Sequence, residues 1–352
     1  MEFSRRKFIK STTLGGVGVA FAPEMLAKET KFNDSHCVPN HFARNKSLAM
    51  SDDVRAFLKT INSQPQLIDT SLSASEIREN LKSFNSEGNL NLKEMFKISN
   101  YSIDAGGFQL NLRHYVPHKK TDSVMIFFHG GGWTLGNLDS YETVCRDLAH
   151  FSGISILSVD YRLAPENPYP GALLDAEAVT KWVEKNANRL GVNLKKIGVG
   201  GDSAGGTLAA LCAQNLHKWV DFKFCHQMLY YPVSGLNFDT YSMNEYAEGY
   251  LLTRELMKWF TFQFLPNGTD GVPFPVDGDV SHCAPATIMT AGYDPLQDEI
   301  FDYHIKLVKF GIPSQHKHCA GLIHNFISLH NKLNSGQDEL EWSCEEFKRY
   351  YQ

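Results

Sequence analysis

Several signatures are missing from this 352-residue chain, and each absence closes off a class of function. It contains no H-E-x-x-H and no C-x-x-C, and its 14 histidines are scattered. That removes the common zinc-hydrolase and thiol-redox motifs. It has no G-x-x-x-x-G-K-[ST], so the usual nucleotide-phosphate loop is absent too. Excess charge of one sign is small, with a net charge of −5 and a pI near 6.3. With no basic patch interleaved with aromatics, this argues against a nucleic-acid surface. No internal repeat or low-complexity tract occurs, and no apolar run suits a stable membrane span. The seven cysteines (37, 145, 212, 225, 283, 319 and 344) are an odd, widely spaced set. They predict free thiols rather than a disulfide framework, with Cys145 and Cys212 in buried helices as small apolar residues.

What is present suits a globular chain. Hydrophobic residues make up 43% and charged residues 21%, enough for a substantial core in one large or two modest domains. The N-terminus differs from the rest. Ser4-Arg5-Arg6-Lys7-Phe8-Ile9-Lys10 is similar to a twin-arginine export signal, and the Gly-rich, mildly apolar run Ser11–Ala22 follows it. Residues 1–27 are therefore expected to be a signal segment, read by the twin-arginine export machinery, and the protein periplasmic or secreted.

A polar stretch from 28 to about 50 reads as a linker, and 28–95 as linker plus N-terminal cap helices. Amphipathic patterns at Asp52–Ile61 and Ala74–Phe84 predict two helices, with Ser51 and Ser73 as N-caps. Runs at Phe96–Ile103 and Phe108–Val116 flank Asp104-Ala-Gly-Gly107, a hairpin signal. From Val124 onward, short apolar runs alternate with helical stretches. The runs are Val124–Phe128, Ile154–Val159, Ile197–Gly200, Gln227–Tyr231, Ala286–Thr290 and Ser314–Cys319. Such alternation predicts βαβ units and a mostly parallel sheet covered on both faces, in a catalytic domain spanning 96–352. The segment 233–275 breaks the rhythm with Tyr241, Tyr246, Tyr250, Trp259, Phe260, Phe262 and Phe264, as local packing or as part of a lid.

The pentapeptide Gly201-Asp202-Ser203-Ala204-Gly205 has the form G-x-S-x-G. An apolar run precedes it and a helix-permissive stretch follows. That order makes a nucleophile elbow, in which a sharp turn exposes the serine at the end of a sheet strand. Acyl transfer also needs a base, an acid to orient the base, and N–H donors for the oxyanion. His129-Gly130-Gly131-Gly132-Trp133 directly follows a strand, and its glycines let backbone amides approach a ligand. Asp294 follows another strand; it could orient a base or cap the helix starting near Leu296. Asp298 competes with it and is expected to face solvent or a salt bridge. Asp202 is too constrained by the turn to orient a base. His324 lies in a loop after the last strand. Its rivals are His316, His318 and His330, of which 316 and 318 share one strand face.

Several motifs occur in one order: His129–Trp133, Gly136–Tyr141, Tyr161-Arg-Leu-Ala-Pro-Glu166, Gly201–Gly206, Asp294-Pro-Leu-Gln-Asp-Glu299 and His324-Asn-Phe326. In these the chain resembles the bacterial hormone-sensitive lipase family of carboxylesterases. The match runs from about residue 95 to the C-terminus, and more weakly from about 50. The resemblance implies an α/β-hydrolase fold with a mostly parallel eight-stranded sheet, flanking helices and a helical cap that includes about 233–275. It implies Ser203 as nucleophile, Asp294 as acid and His324 as base, with an oxyanion hole of Gly131, Gly132 and Ala204. His129, with Gly130, reads as structural, fixing the loop through its ring nitrogens. The segment Tyr161–Glu166 reads as scaffold whose charges form buried pairs. The family pattern is H-G-F, and Asn325 stands where its glycine would be.

The expected reaction is two-step hydrolysis of small to medium acyl esters, requiring neither metal nor organic cofactor. An arylacetamide-type amidase or deacetylase would share all this machinery. A ligand-binding receptor on the same fold would lack the histidine. The expected partner is a small-molecule ester, with no nucleic acid, and homodimer formation is left open.

Overall fold

The computed structural model describes residues 49–64, 68–85 and 92–352. The export segment, most of the linker and Cys37 fall outside these residues. The described elements begin with α1 (Asp52–Ile61), α2 (Ala74–Asn85), β1 (Lys97–Asp104), β2 (Gln109–Val116), β3 (Val124–Phe128), α3 (Glu142–Ser152) and β4 (Ser155–Asp160). There follow α4 (Gly171–Leu190), β5 (Ile197–Asp202), α5 (Ala204–Trp219), β6 (Gln227–Tyr230), α6 (Tyr241–Glu245) and α7 (Arg254–Phe264). The last are β7 (Ala286–Tyr293), α8 (Gln297–Lys309), β8 (Ser314–Ile323) and α9 (Asn334–Phe347).

The strands form one eight-stranded sheet in the order β1-β2-β4-β3-β5-β6-β7-β8. β1–β2 and β2–β4 are antiparallel, and every other pairing is parallel. β3, β5 and β6 are buried along their whole length, as strands covered on both faces should be. The chain order reverses at β3, which pairs with β4 on one side and β5 on the other. Loops leaving β3 and β5 diverge there and open a crevice at the strands' carboxyl ends, where open α/β sheets bind ligands.

The strand and helix expectations match to within a few residues. Ser73 caps α2 in a capping box: its Oγ accepts the Glu76 N–H (3.3 Å), and Glu76 accepts the Ser73 N–H (2.9 Å). Ser51 makes no side-chain cap. Its N–H donates to the Gly321 carbonyl instead, tying the start of α1 to β8 (3.1 Å). Cys145 and Cys212 lie buried in α3 and α5, and all six described cysteines are free. Among the described residues no helix is long and apolar enough to cross a membrane.

The cap layer joins α1 and α2 to α6 and α7. Asn62, just past α1, donates to the Gly249 carbonyl (3.1 Å). Ile77 of α2, Leu135 and Phe260 of α7 form a small apolar cluster of their own. The insertion's aromatics differ in placement. Phe260 and Phe264 are buried, Tyr246 and Tyr250 pack on Tyr293, and Tyr241 and Phe262 face solvent.

Candidate active site

Ser203 is the single residue between β5 and α5. Its backbone sits at φ 52°, ψ −121°, a region an L-residue occupies only under constraint. The constraint is visible on both sides. The Ser203 N–H donates to the Tyr230 carbonyl (2.9 Å), and its carbonyl accepts the Thr207 N–H (3.1 Å). Gly205 makes the approach possible, because a Cβ there would lie 2.0 Å from the Phe128 carbonyl oxygen. The first turn of α5 therefore rests directly on the end of β3, which brings the serine beside the glycine loop.

Asp294 follows β7 and His324 follows β8, and these parallel neighbours carry the two side chains to Ser203. His324 Nδ1 donates to Asp294 Oδ2 at 2.7 Å. Nε2 is then left to accept from the Ser203 hydroxyl at 3.0 Å. Asp294 Oδ1 accepts the Leu296 N–H at 2.9 Å, in the turn just before α8, while Oδ2 meets the imidazole. All three are shielded: Ser203 is 7% exposed, His324 4% and Asp294 0%. The Tyr231 ring lies 4.6 Å from the imidazole, and its hydroxyl accepts the Ile327 N–H (3.2 Å). Asn325 adopts φ +73°, the left-handed conformation for which the family pattern supplies glycine.

The glycine loop runs from His129 over the same end of the sheet. Gly131 and Gly132 adopt φ +114° and +59°. The N–H groups of Gly131, Gly132 and Ala204 take no acceptor among the described residues. Ala204 opens α5, so its amide also lies at the positive end of a helix dipole. Gly132 has no room for a side chain, since a Cβ would lie 2.2 Å from the Phe260 ring. The cap helix α7 thus presses directly on this loop.

His129 is fully buried and held neutral, its pKa pushed down by desolvation to about 4. Only one ring nitrogen fixes the loop, in partial correction of the sequence reading. Nδ1 contacts the Gly130 carbonyl (2.8 Å), while Nε2 has no partner among the described residues. The ring instead stacks on Tyr161 at 4.3 Å. The Tyr161 hydroxyl donates to the His129 carbonyl (2.7 Å).

Sequence reasoning missed several supporting residues. Asp202 does not orient the base, as expected, but it is not idle. Its Oδ1 accepts the Gly130 N–H (2.8 Å), and its Oδ2 accepts the Tyr141 hydroxyl (2.8 Å). Desolvation pushes its pKa up to about 6, against the pull of these two hydrogen bonds. A charged residue closing an otherwise apolar strand was the available signal. Arg78 of α2 gave none. Its guanidinium donates to the carbonyls of Thr134 (2.7 Å) and Ala164 (2.5 Å) and pairs with Glu166 (2.8 Å). Glu166 is therefore paired at the surface rather than in the interior, whereas Arg162 makes the expected buried pair with Asp175 (2.7 Å). Asp298 is half-buried and makes no salt bridge among the described residues. Its Oδ2 accepts the Ser242 N–H (2.9 Å), linking α8 to α6. His316 and His318 both bond Thr290, and no metal-binding group of three exists among the described residues.

A family model described as the alpha/beta hydrolase fold matches residues 125–328. A carboxylic ester hydrolase of Mycobacterium tuberculosis, LipN, is 35% identical over 243 residues, covering 66% of this chain. The chain spans just under two thirds (65%) of that relative's length. The ethyl acetate hydrolase of Pseudomonas putida is 30% identical over 263 residues, 72% of this chain and 83% of its own. Among solved structures, an ester hydrolase from the metagenome of Lake Arreo, complexed with a bipyridine phosphonate derivative, superposes with a TM-score of 0.81 at 29% identity. The superposition covers 86% of this chain and 99% of that one. An esterase of Pyrobaculum calidifontis gives 0.78 at 32% identity, over 85% of this chain and 98% of its own.

Proposed function

Because this chain belongs to the α/β-hydrolase family, among the carboxylic ester hydrolases resembling hormone-sensitive lipase, we propose that it cleaves small to medium acyl esters through Ser203, His324 and Asp294. The observation that carries this reading is the position of His324, bonded to Ser203 on one nitrogen and to Asp294 on the other.

The steps follow from the donors and acceptors. His324 Nε2 takes the Ser203 proton as Oγ attacks the ester carbonyl. Asp294 Oδ2 holds the imidazole in place and stabilises its charged form. Charge develops on the former carbonyl oxygen, where the N–H groups of Gly131, Gly132 and Ala204 are free to donate. Collapse expels the alcohol, which receives its proton from His324, and leaves an acyl ester on Ser203. Water deprotonated by the same histidine then releases the acid. The small-to-medium acyl range is supported by Phe260 of α7 lying against Gly132. We also propose that the Ser4–Lys10 motif directs twin-arginine export. Full-length protein recovered uncleaved from the cytoplasm would overturn that part.

The test is turnover of p-nitrophenyl acetate and butyrate by wild type and Ser203→Ala. The variant is expected to lose about 10⁴-fold or more in kcat. Turnover surviving in it would remove Ser203 as nucleophile. Matched anilides run alongside would separate ester from amide preference.

A further inference from the structure

A second histidine–carboxylate pair lies six residues past the catalytic base, and the mechanism makes no use of it. His330 Nε2 meets Asp147 Oδ2 at 2.9 Å, and His330 Nδ1 meets the Ile327 carbonyl at 2.7 Å. Both side chains are buried. Asp147 lies on α3, far away in sequence. We propose that Asp147 and His330 are positioning residues for the base: they brace the loop carrying His324 against the helix that holds the glycine loop. This inference rests on the catalytic reading above.

Three observations support it. First, Ile327, three residues after His324, is gripped on both its polar groups. Its N–H goes to the Tyr231 hydroxyl and its carbonyl to His330. The backbone just beyond the left-handed Asn325 therefore cannot rotate without breaking a buried bond. Second, α3 and the residue just before it carry both ends of the brace. Tyr141, the residue before α3, accepts the Gly130 N–H (3.0 Å) and donates to Asp202 beside the nucleophile. Asp147 lies about 9 Å further along the same helix, at ~1.5 Å per residue. One rigid element thus sets the base loop relative to the glycine loop and the nucleophile elbow. Third, the pair is a costly way to fill space. Apolar side chains would close the gap between α3 and the loop without desolvating a carboxylate. Asp147 Oδ1 even lacks a partner among the described residues. A directional bond offers what apolar packing does not, which is a fixed angle for the loop.

The test uses Asp147→Asn, His330→Gln and the double variant, with Ser203→Ala as control. Each single variant is expected to lower kcat for p-nitrophenyl butyrate by roughly 10- to 100-fold, the scale of a small misplacement of reacting groups. KM should stay within about twofold. The double variant should lose no more than the worse single one, because the two residues act as one unit. The low-field proton of His324 Nδ1–H should shift in both variants, although neither substituted residue hydrogen-bonds His324. Asp147→Glu, which keeps the charge but displaces the carboxylate, should show the same kcat-only loss and serves if the asparagine variant does not fold. A folded variant with wild-type kcat, an unmoved His324 proton, or kcat loss that only tracks the unfolded fraction overturns the brace. Wild-type kcat in these variants alongside an inactive Ser203→Ala removes the brace alone. Activity in Ser203→Ala removes the catalytic reading itself.

Discussion

The carboxyl end of the sheet and the cap above it are held by different means. At the sheet end, Ser203, Asp294 and His324 are each within one residue of a strand end, and main-chain contacts fix their surroundings. Gly205 rests on the Phe128 carbonyl, and the Ser203 N–H bonds Tyr230. In the cap, single long side chains provide much of the attachment. Arg78 reaches two carbonyls of the glycine-loop region, Asn62 reaches Gly249, and Phe260 lies on Gly132. The chemistry therefore sits on main-chain scaffolding of the sheet, while the cap over it adds side-chain contacts to main-chain bonds such as Tyr169 N–H to the Phe264 carbonyl. This is a physical basis for changing what enters without changing what reacts.

The sharpest way to break that division is at Gly132, where the layers touch. Gly132→Ala places a methyl group against the Phe260 ring and forces alanine to φ +59°. Removal of one oxyanion donor costs about 10²-fold or more in kcat, and displacement of the loop should approach that. Adding Phe260→Ala should relieve the clash but not the backbone strain. Steady-state kinetics of both variants should show partial recovery only.

Glu299 lies at the seam, on α8 just past Asp294, where it accepts the N–H of Asn237 at the start of the cap insertion (2.9 Å). Burial pushes its carboxyl up from 4.5 to about 7, with nearby Asp302, Asp277 and Asp298 adding to the rise. The folded state keeps this proton between those pH values while the unfolded chain has lost it. Its contribution therefore weakens the fold as pH climbs from about 4.5 to about 7. Glu299→Gln keeps the acceptor and removes the titration. It should be more stable than wild type above pH 7, by on the order of 3 kcal/mol, and the gap should close below pH 4.5. Urea melts at pH 4.5 and pH 8 would measure this, and equal gaps at both would exclude it.

Arg78→Ala addresses the cap alone. It should lower stability by about 1–2 kcal/mol and raise KM a few-fold, with kcat nearly unchanged. A kcat collapse would show that the layers are not separable. The smallest effect is expected at Asn325→Gly, which restores the family pattern in a left-handed position. Stability should move by less than about 1 kcal/mol and kcat by less than twofold.

The same contrast explains what could be read in advance. Strand-bound chemistry is compressed into short motifs, because each functional side chain is placed by its own neighbours. Gly-Asp-Ser-Ala-Gly and His-Gly-Gly-Gly-Trp carry their geometry with them. So does Asn325, whose sequence position already implied a positive φ. Most of the parallel strands were legible as short apolar runs, and β1 and β2 from the hairpin signal between them. Arg78 and Asp147 were not, since each acts across a long separation on a partner without a local pattern, and Tyr141 stood in a quoted motif without its bond to Asp202 being legible. The aromatics of 241–264 were ambiguous because packing and lid roles use the same residue types. Only the fold separates buried Phe260 from exposed Phe262.

The divided carboxylate of Asp294 has one more consequence. Oδ1 is committed to the Leu296 N–H, so an asparagine in its place would turn its amide oxygen to that backbone donor and its NH₂ to His324. The imidazole would then have to accept on Nδ1 and carry its proton on Nε2, facing the serine. The site would keep its shape, but Nε2 would donate to the hydroxyl and could no longer take its proton. In such a variant a backbone amide two residues from the acid would select the tautomer of a histidine thirty residues away, and with it the direction in which the proton travels.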